Sequence, residues 1–133
     1  MNKIIRVALS FTLILIGCKS TYEPSYVGDI TEVKVSELSN YWVRESTKIK
    51  MLSGRPDWLP KGGGKGIYSV VIDSNGYEVT KKLVSSTPDG WMTQKHLDKM
   101  PKVRYKPSQA NLKMAPVKVQ MSFEIMRRRE IKT

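Results

Sequence analysis

The sequence predicts an α+β fold in which one main helix packs on one face of a three-stranded antiparallel sheet, in the order strand, strand, helix, strand. Three observations carry that prediction. Asn75-Gly76 joins two runs rich in β-branched residues, Val117 to Ile125 alternates apolar and polar residues without a break, and the stretch between them has the start and stop signals of a helix. A helix laid over the apolar side of such a sheet buries both apolar faces at once.

The first strand is read in "IYSVVID", Ile67 to Asp73, and its partner in "YEVTKKLVSS", Tyr77 to Ser86. Between them "SNG" is a hairpin signal, because asparagine and glycine accept the positive φ angles of a tight turn. The helix is read in "STPDGWMTQKHLDKM", with Thr87 as cap, Pro88 at the first helical position, Asp89 near the positive helix end and Pro101 as the stop. Leu97 and Met100 then share a face with Thr93. In the last strand Val117, Val119, Met121, Phe123 and Ile125 alternate with Lys118, Gln120, Ser122 and Glu124, the pattern of a half-buried strand.

Upstream, "RPDWLPKGGGKG" (Arg55 to Gly66) is a breaker segment. Residues 18–54 are polar and mixed, with a loose alternation of Ile30, Val33, Val35 and Leu38 and one helix signal from Ser36 or Ser39 onward. They read as a tether with local structure, part of which docks through Tyr41 and Trp42. The expected division is a leader over 1–17, the tether over 18–54, a domain over 55–126 and a basic tail over 127–133. The Arg127 to Glu130 cluster in that tail is either a solvated run or a contact to lipid phosphates.

The single cysteine, Cys18, ends an apolar stretch that has no charge from Val7 to Gly17 and is preceded by Lys3 and Arg6. A basic start, a short apolar core and small residues at its end make a secretory signal, and the core is too short for a membrane span, which needs roughly 20 apolar residues. Leu15-Ile16-Gly17-Cys18 resembles the bacterial lipobox. The resemblance implies that the Cys18 thiol carries diacylglycerol, that the chain is cut just before it and that the new amine is acylated. At about 0.8 kcal/mol per buried methylene, two or three acyl chains on one residue hold a protein on a membrane. Lys19 rather than aspartate follows the cysteine, which under the bacterial sorting rule implies the outer membrane and a mature chain facing the periplasm.

A solitary cysteine leaves no internal disulfide and no cysteine metal cluster. Two of the 23 basic residues lie in the leader, and losing Lys3 and Arg6 lowers the formal charge from +11 to +9. Such a chain favours anionic partners, but nucleic acid is not expected for an exported protein. Catalysis has little support. His96 is the one histidine, Asp98 is two positions away and so does not face it on a helix, and "GGGKG" lacks the spacing of a phosphate loop. No cofactor and no metal are expected, and the chain reads as a binding protein rather than an enzyme.

The order of elements, together with specific residues, resembles the C-terminal domain of the TonB energy-transducer family. The resemblance rests on Pro56, Trp58 and Pro60 in "RPDWLP", on Gly64 or Gly66 before the first strand, and on "IDSNG" at the hairpin. It continues with "LVSSTP" after the second strand, Arg104, Tyr105 and Pro107 in "VRYKP", and "APVKV" opening the last strand. It covers roughly residues 55 to 126. It implies peptide capture by strand addition, in which the last strand offers its edge to an extended segment of an outer-membrane receptor or other envelope protein. The residues concerned are Val117, Lys118, Val119, Gln120, Met121, Ser122 and Phe123, with Lys118 suited to an acidic partner. Arg104 and Tyr105 either brace the domain or touch the partner.

Two departures from the family matter. Val103 stands where the family has tryptophan, and residues 1–54 lack both the polar inner-membrane helix and the proline-rich linker of its energised members. This chain is therefore not expected to transmit proton-motive force itself. The same edge also has other uses: an ordinary strand protected by Lys118 and Glu124, or a homodimer contact in a structural, assembly lipoprotein of an envelope complex with no transport role.

Overall fold

The computed structural model describes residues 21–46 and 54–126. In chain order the elements are β1 (Thr31–Val33), a 3-10 helix (Val35–Asn40), β2 (Trp42–Arg44), β3 (Gly64–Ile72), β4 (Glu78–Thr87), α1 (Gln94–Lys99), β5 (Tyr105–Pro107) and β6 (Val117–Ile125). They form a four-stranded sheet in the order β1-β6-β3-β4 and a two-stranded sheet of β2 and β5. β1 runs parallel to β6, and the remaining pairs are antiparallel.

The class α+β stands, but the sheet is not three-stranded. Its fourth strand comes from the stretch read as a tether, which over Thr31–Arg44 is part of the folded unit. Leu38 and Trp42, 9 % and 2 % exposed, enter the common core. The physical reason is area: two large apolar side chains cover the core end of β3 and β6, and each fully buried one contributes roughly 1.5–3 kcal/mol. Within that stretch the expected helix is a 3-10 turn, its Glu37 carboxylate accepting the Lys34 N–H at 3.3 Å, and the chain turns to strand at Trp42.

β3 and β6 show the alternation that their sequences promise. Tyr68, Val70 and Ile72 face the core from β3 and meet Met121, Val119 and Val117 of β6 directly across the ladder. The hairpin to β4 uses three loop residues, Ser74 to Gly76, closed by the Asp73 N–H donating to the Tyr77 carbonyl at 3.0 Å. Only Gly76, at φ 81°, takes the left-handed conformation, and a Cβ there would run into the Tyr105 carbonyl oxygen. Glycine is thus required twice over, by backbone angle and by space.

The main helix is shorter than expected. β4 runs on to Thr87, and α1 begins only after Thr93. The intervening residues cross the end of the sheet and lower Trp91 and Met92 onto Gly64 and Gly66, where a Cβ would overlap the indole ring and the thioether. In place of a helical start at Pro88 the chain makes a tight turn, the Trp91 N–H donating to the Pro88 carbonyl at 3.0 Å with Gly90 at φ 75°, and this turn delivers the two side chains to the core. The core so formed gathers Trp42, Tyr68, Val70, Ile72, Trp91, Met92, Leu97, Tyr105, Val117 and Val119 on one face of the sheet.

Candidate peptide-docking edge

β6 pairs with β3 along its whole length, Val117 to Ile125, but with β1 only at Val117, Lys118 and Val119. The edge expected to be open is therefore closed at its first three residues. The closure is slight: Thr31 N–H donates to Pro116 carbonyl oxygen at 3.1 Å, and Lys118 meets Glu32 at 3.4 Å with both side chains well exposed. From Gln120 to Ile125 no described strand lies along the outer side. At about 3.3 Å per residue this leaves roughly 20 Å of sheet edge.

The side chains along this edge divide sharply. Val117 and Val119 are fully buried in the core, and Phe123 packs against Trp91 and Trp58 at ring-centroid distances of 6.3 and 6.0 Å. Lys118 is engaged by Glu32. Gln120 and Ser122 remain exposed, with Met121 half-buried between them. Of the seven residues singled out from sequence, these three border an open groove of about 590 Å³. Its far wall is Leu38, Trp42 and Arg44, and Lys65, Tyr68 and Tyr105 also line it.

The wall is held firmly. Trp42 Nε1–H donates to the Ala115 carbonyl at 2.9 Å, and buried Asn111 donates to the Tyr41 carbonyl and accepts the Ala115 N–H, each at 2.9 Å. Tyr105 is 3 % exposed and its hydroxyl donates to Glu78 at 3.4 Å. Burial first, then the Glu78 charge, pushes the Tyr105 phenol up to about 12, with Arg44 acting in the opposite direction. Tyr68 is pushed up by the same two causes in the same order. Glu78 in turn accepts the Val103 N–H at 3.1 Å and pairs with Lys81 at 3.0 Å, so this buried carboxylate has a full set of partners.

Arg104 is occupied within the chain. It pairs with Glu45 at 3.2 Å and lies over the Tyr77 ring at 4.8 Å, while Tyr22 packs on the same ring. Arg104 and Tyr105 both brace in this arrangement, and they join the second sheet to the hairpin through the Tyr105 N–H, which donates to the Gly76 carbonyl at 2.8 Å.

Two features were not legible beforehand. Asp73 is fully buried and accepts the Tyr22 hydroxyl together with the Ser25, Asn75 and Tyr77 N–H groups, fastening the incoming chain to the hairpin. Gln94 acts on the opposite sheet edge. Its Oε1 accepts the Leu83 N–H at 2.9 Å and its Nε2 donates to the Lys81 carbonyl at 2.7 Å, so one amide substitutes for a neighbouring strand. Aspartate at a hairpin start and glutamine early in a helix are the only signals, and both are common for local reasons.

His96 turns its Nδ1 back to accept the Thr93 N–H at 3.0 Å, closing the start of α1. Among the described residues no three His, Cys, Asp or Glu side chains converge as a metal site, and no helix is long and apolar enough to cross a membrane. Cys18, the leader and the Arg127 to Glu130 cluster lie outside the described residues. Comparison with protein-family models, curated proteins and solved structures found no match to this chain.

Proposed function

We propose that this chain is a lipid-anchored binding protein of the cell envelope, with a TonB-like domain that captures an extended segment of another envelope protein by adding it as a strand to β6. The observation that carries the reading is the length Gln120–Ile125 with no described strand on its outer side, bordered at Gln120–Ser122 by a groove of mixed apolar and polar lining, on a sheet whose other edge is covered at its middle by Gln94. Strand addition needs a row of unpaired backbone groups for affinity and a neighbouring pocket for selectivity. In this reading Cys18 carries the anchor, the outer membrane is the site and a receptor of energy-dependent uptake is the partner. No step of the reading requires catalysis, a cofactor or a metal.

The test is made in the native envelope. Whole cells bearing the full-length protein are treated with a short amine-reactive crosslinker, and the captured proteins and linked peptides are identified by mass spectrometry. An outer-membrane receptor joined through an extended periplasmic segment supports the proposal. Capture of nothing but a second copy of the chain favours assembly through the edge instead. In parallel, Cys18→Ala moves the protein out of the membrane fraction if the anchor is assigned correctly. Unchanged membrane association removes the anchor from the proposal.

A further inference from the structure

The groove beside β6 has a charge bias that selects among extended partners. Three ion pairs among the described residues engage Lys81 with Glu78, Arg104 with Glu45 and Lys118 with Glu32. Arg44 and Lys65, the two cations that line the groove, join none of them. No carboxylate lies among the described lining residues. Glu124 stands across the ladder from Lys65, yet it forms no ion pair with it and is not part of the groove. Arg44 hydrogen-bonds the Tyr105 hydroxyl, which stays neutral at ordinary pH with its pKa pushed up to about 12 and so leaves the guanidinium charge uncompensated.

The rest of the lining is uncharged: Leu38 and Trp42 of the far wall and Tyr68 are buried, Met121 is half-buried beside them, and Ser39, Gln120 and Ser122 add neutral polar groups. Successive side chains of an added strand point to opposite faces. On the core side they meet the wall of Leu38, Trp42 and Arg44, and on the other side they meet Lys65, Gln120 and Ser122.

We infer that the partner segment is acidic: an extended peptide with at least one aspartate or glutamate among the residues that lie beside Gln120–Ser122, its carboxylate met by Arg44 or Lys65 and its apolar neighbours set against the Leu38–Trp42 wall. This rests on strand addition at β6 and names the class of segment that the edge accepts. A carboxylate in reach of a guanidinium or ammonium at a partly shielded groove gains a charge-assisted hydrogen bond, and salt weakens it in proportion to its exposure.

The experiment selects partners without assuming a sequence. Full-length protein in detergent micelles is immobilised and panned against a phage library of random octapeptides. The panning is repeated with the Arg44→Gln/Lys65→Gln double variant. Circular dichroism and thermal unfolding verify that the variant is folded, and Lys65→Gln alone, at an exposed position, replaces it if it is not. The expected result is enrichment of Asp or Glu at one or two adjacent positions between apolar residues. The synthetic form of an enriched peptide then binds the variant about tenfold more weakly at low salt, and the gap narrows as salt is raised. Enriched peptides with no acidic preference, or acidic peptides that bind the variant equally well, overturn the charge assignment while strand addition stands. Enrichment of no peptide at all overturns strand addition itself, and the inference with it.

Discussion

The two long edges of the main sheet have met the same problem in different ways. β4 ends the sheet on one side, where the Gln94 amide takes both the Leu83 N–H and the Lys81 carbonyl, and register shifts beside Ile67 and Ile72 break the regularity of the ladder. β6 carries a three-residue parallel strand at one end and no described strand along the outer side of the other six residues. Exposed strand edges invite pairing, and folded proteins usually blunt them with bulges, charges or covering elements. One edge here is blunted by a side chain and by bulges. The other is left smooth, next to a groove. The difference teaches that the opening at β6 is local: the same chain has the means to close an edge and uses them elsewhere.

The strongest way to break this contrast is to remove the wall of the groove. Trp42→Ala takes away a 2 % exposed indole and its hydrogen bond to Ala115, and should cost about 3–5 kcal/mol of stability by urea unfolding. A loss under about 1 kcal/mol would mean that β2 does not hold the groove in shape.

A second test uses pH on the buried phenol behind that wall. Tyr105 has a folded pKa raised to about 12, above its unfolded value, so the unfolded chain loses its proton first as pH rises. The contribution is complete below about pH 10 and is lost as pH climbs through about 12, an amount on the order of 2–3 kcal/mol. Unfolding measured from pH 8 to 11.5 should show stability falling above pH 10, with a shallower fall in Tyr105→Phe. Equal slopes in the two proteins would contradict the burial of this hydroxyl.

Opening the closed edge sharpens the comparison from the other side. Gln94→Ala removes both hydrogen bonds to the β4 backbone, each worth about 1 kcal/mol net, so a loss of roughly 1–2 kcal/mol is expected together with self-association in sedimentation velocity. A variant that stays monomeric would show that the bulges alone suffice. The smallest effect belongs to Glu32→Ala. Its pair with Lys118 is well exposed, so stability should change by less than about 0.5 kcal/mol. If hydrogen exchange at Val117 to Val119 nevertheless rises sharply, β1 is held by that ion pair rather than by its backbone.

What the sequence reveals and what it hides follow from the range of the interactions. The hairpin at Gly76 and the alternation of β6 are local patterns, and both appear in the structure with their core faces as read. β1 has only three residues with one half-buried side chain, Val33, so the loose alternation from Ile30 to Leu38 does not by itself mark a strand. Trp42 was visible as a docking residue, but the strand that carries it is defined by its pairing with β5, more than sixty positions away. The helix signal at Thr87 was locally sound and was overruled by space: Gly64 and Gly66 create a shelf that Trp91 and Met92 fill from the turn over Pro88–Trp91. At the candidate site, the strand was legible and its partial closure was not, because closure depends on where a distant short strand lands. The pairing of Arg104 with Glu45 and Tyr77 is hidden for the same reason.

The most direct measurement is paired photo-crosslinking in the native envelope, with the reactive side chain placed at Ser122 on β6 in one protein and at Lys82 on β4 in the other. Strand addition at β6 predicts that Ser122 captures an extended segment of a different envelope protein and that Lys82 does not. Equal capture from the two edges, or capture from Ser122 of this chain alone, would contradict it.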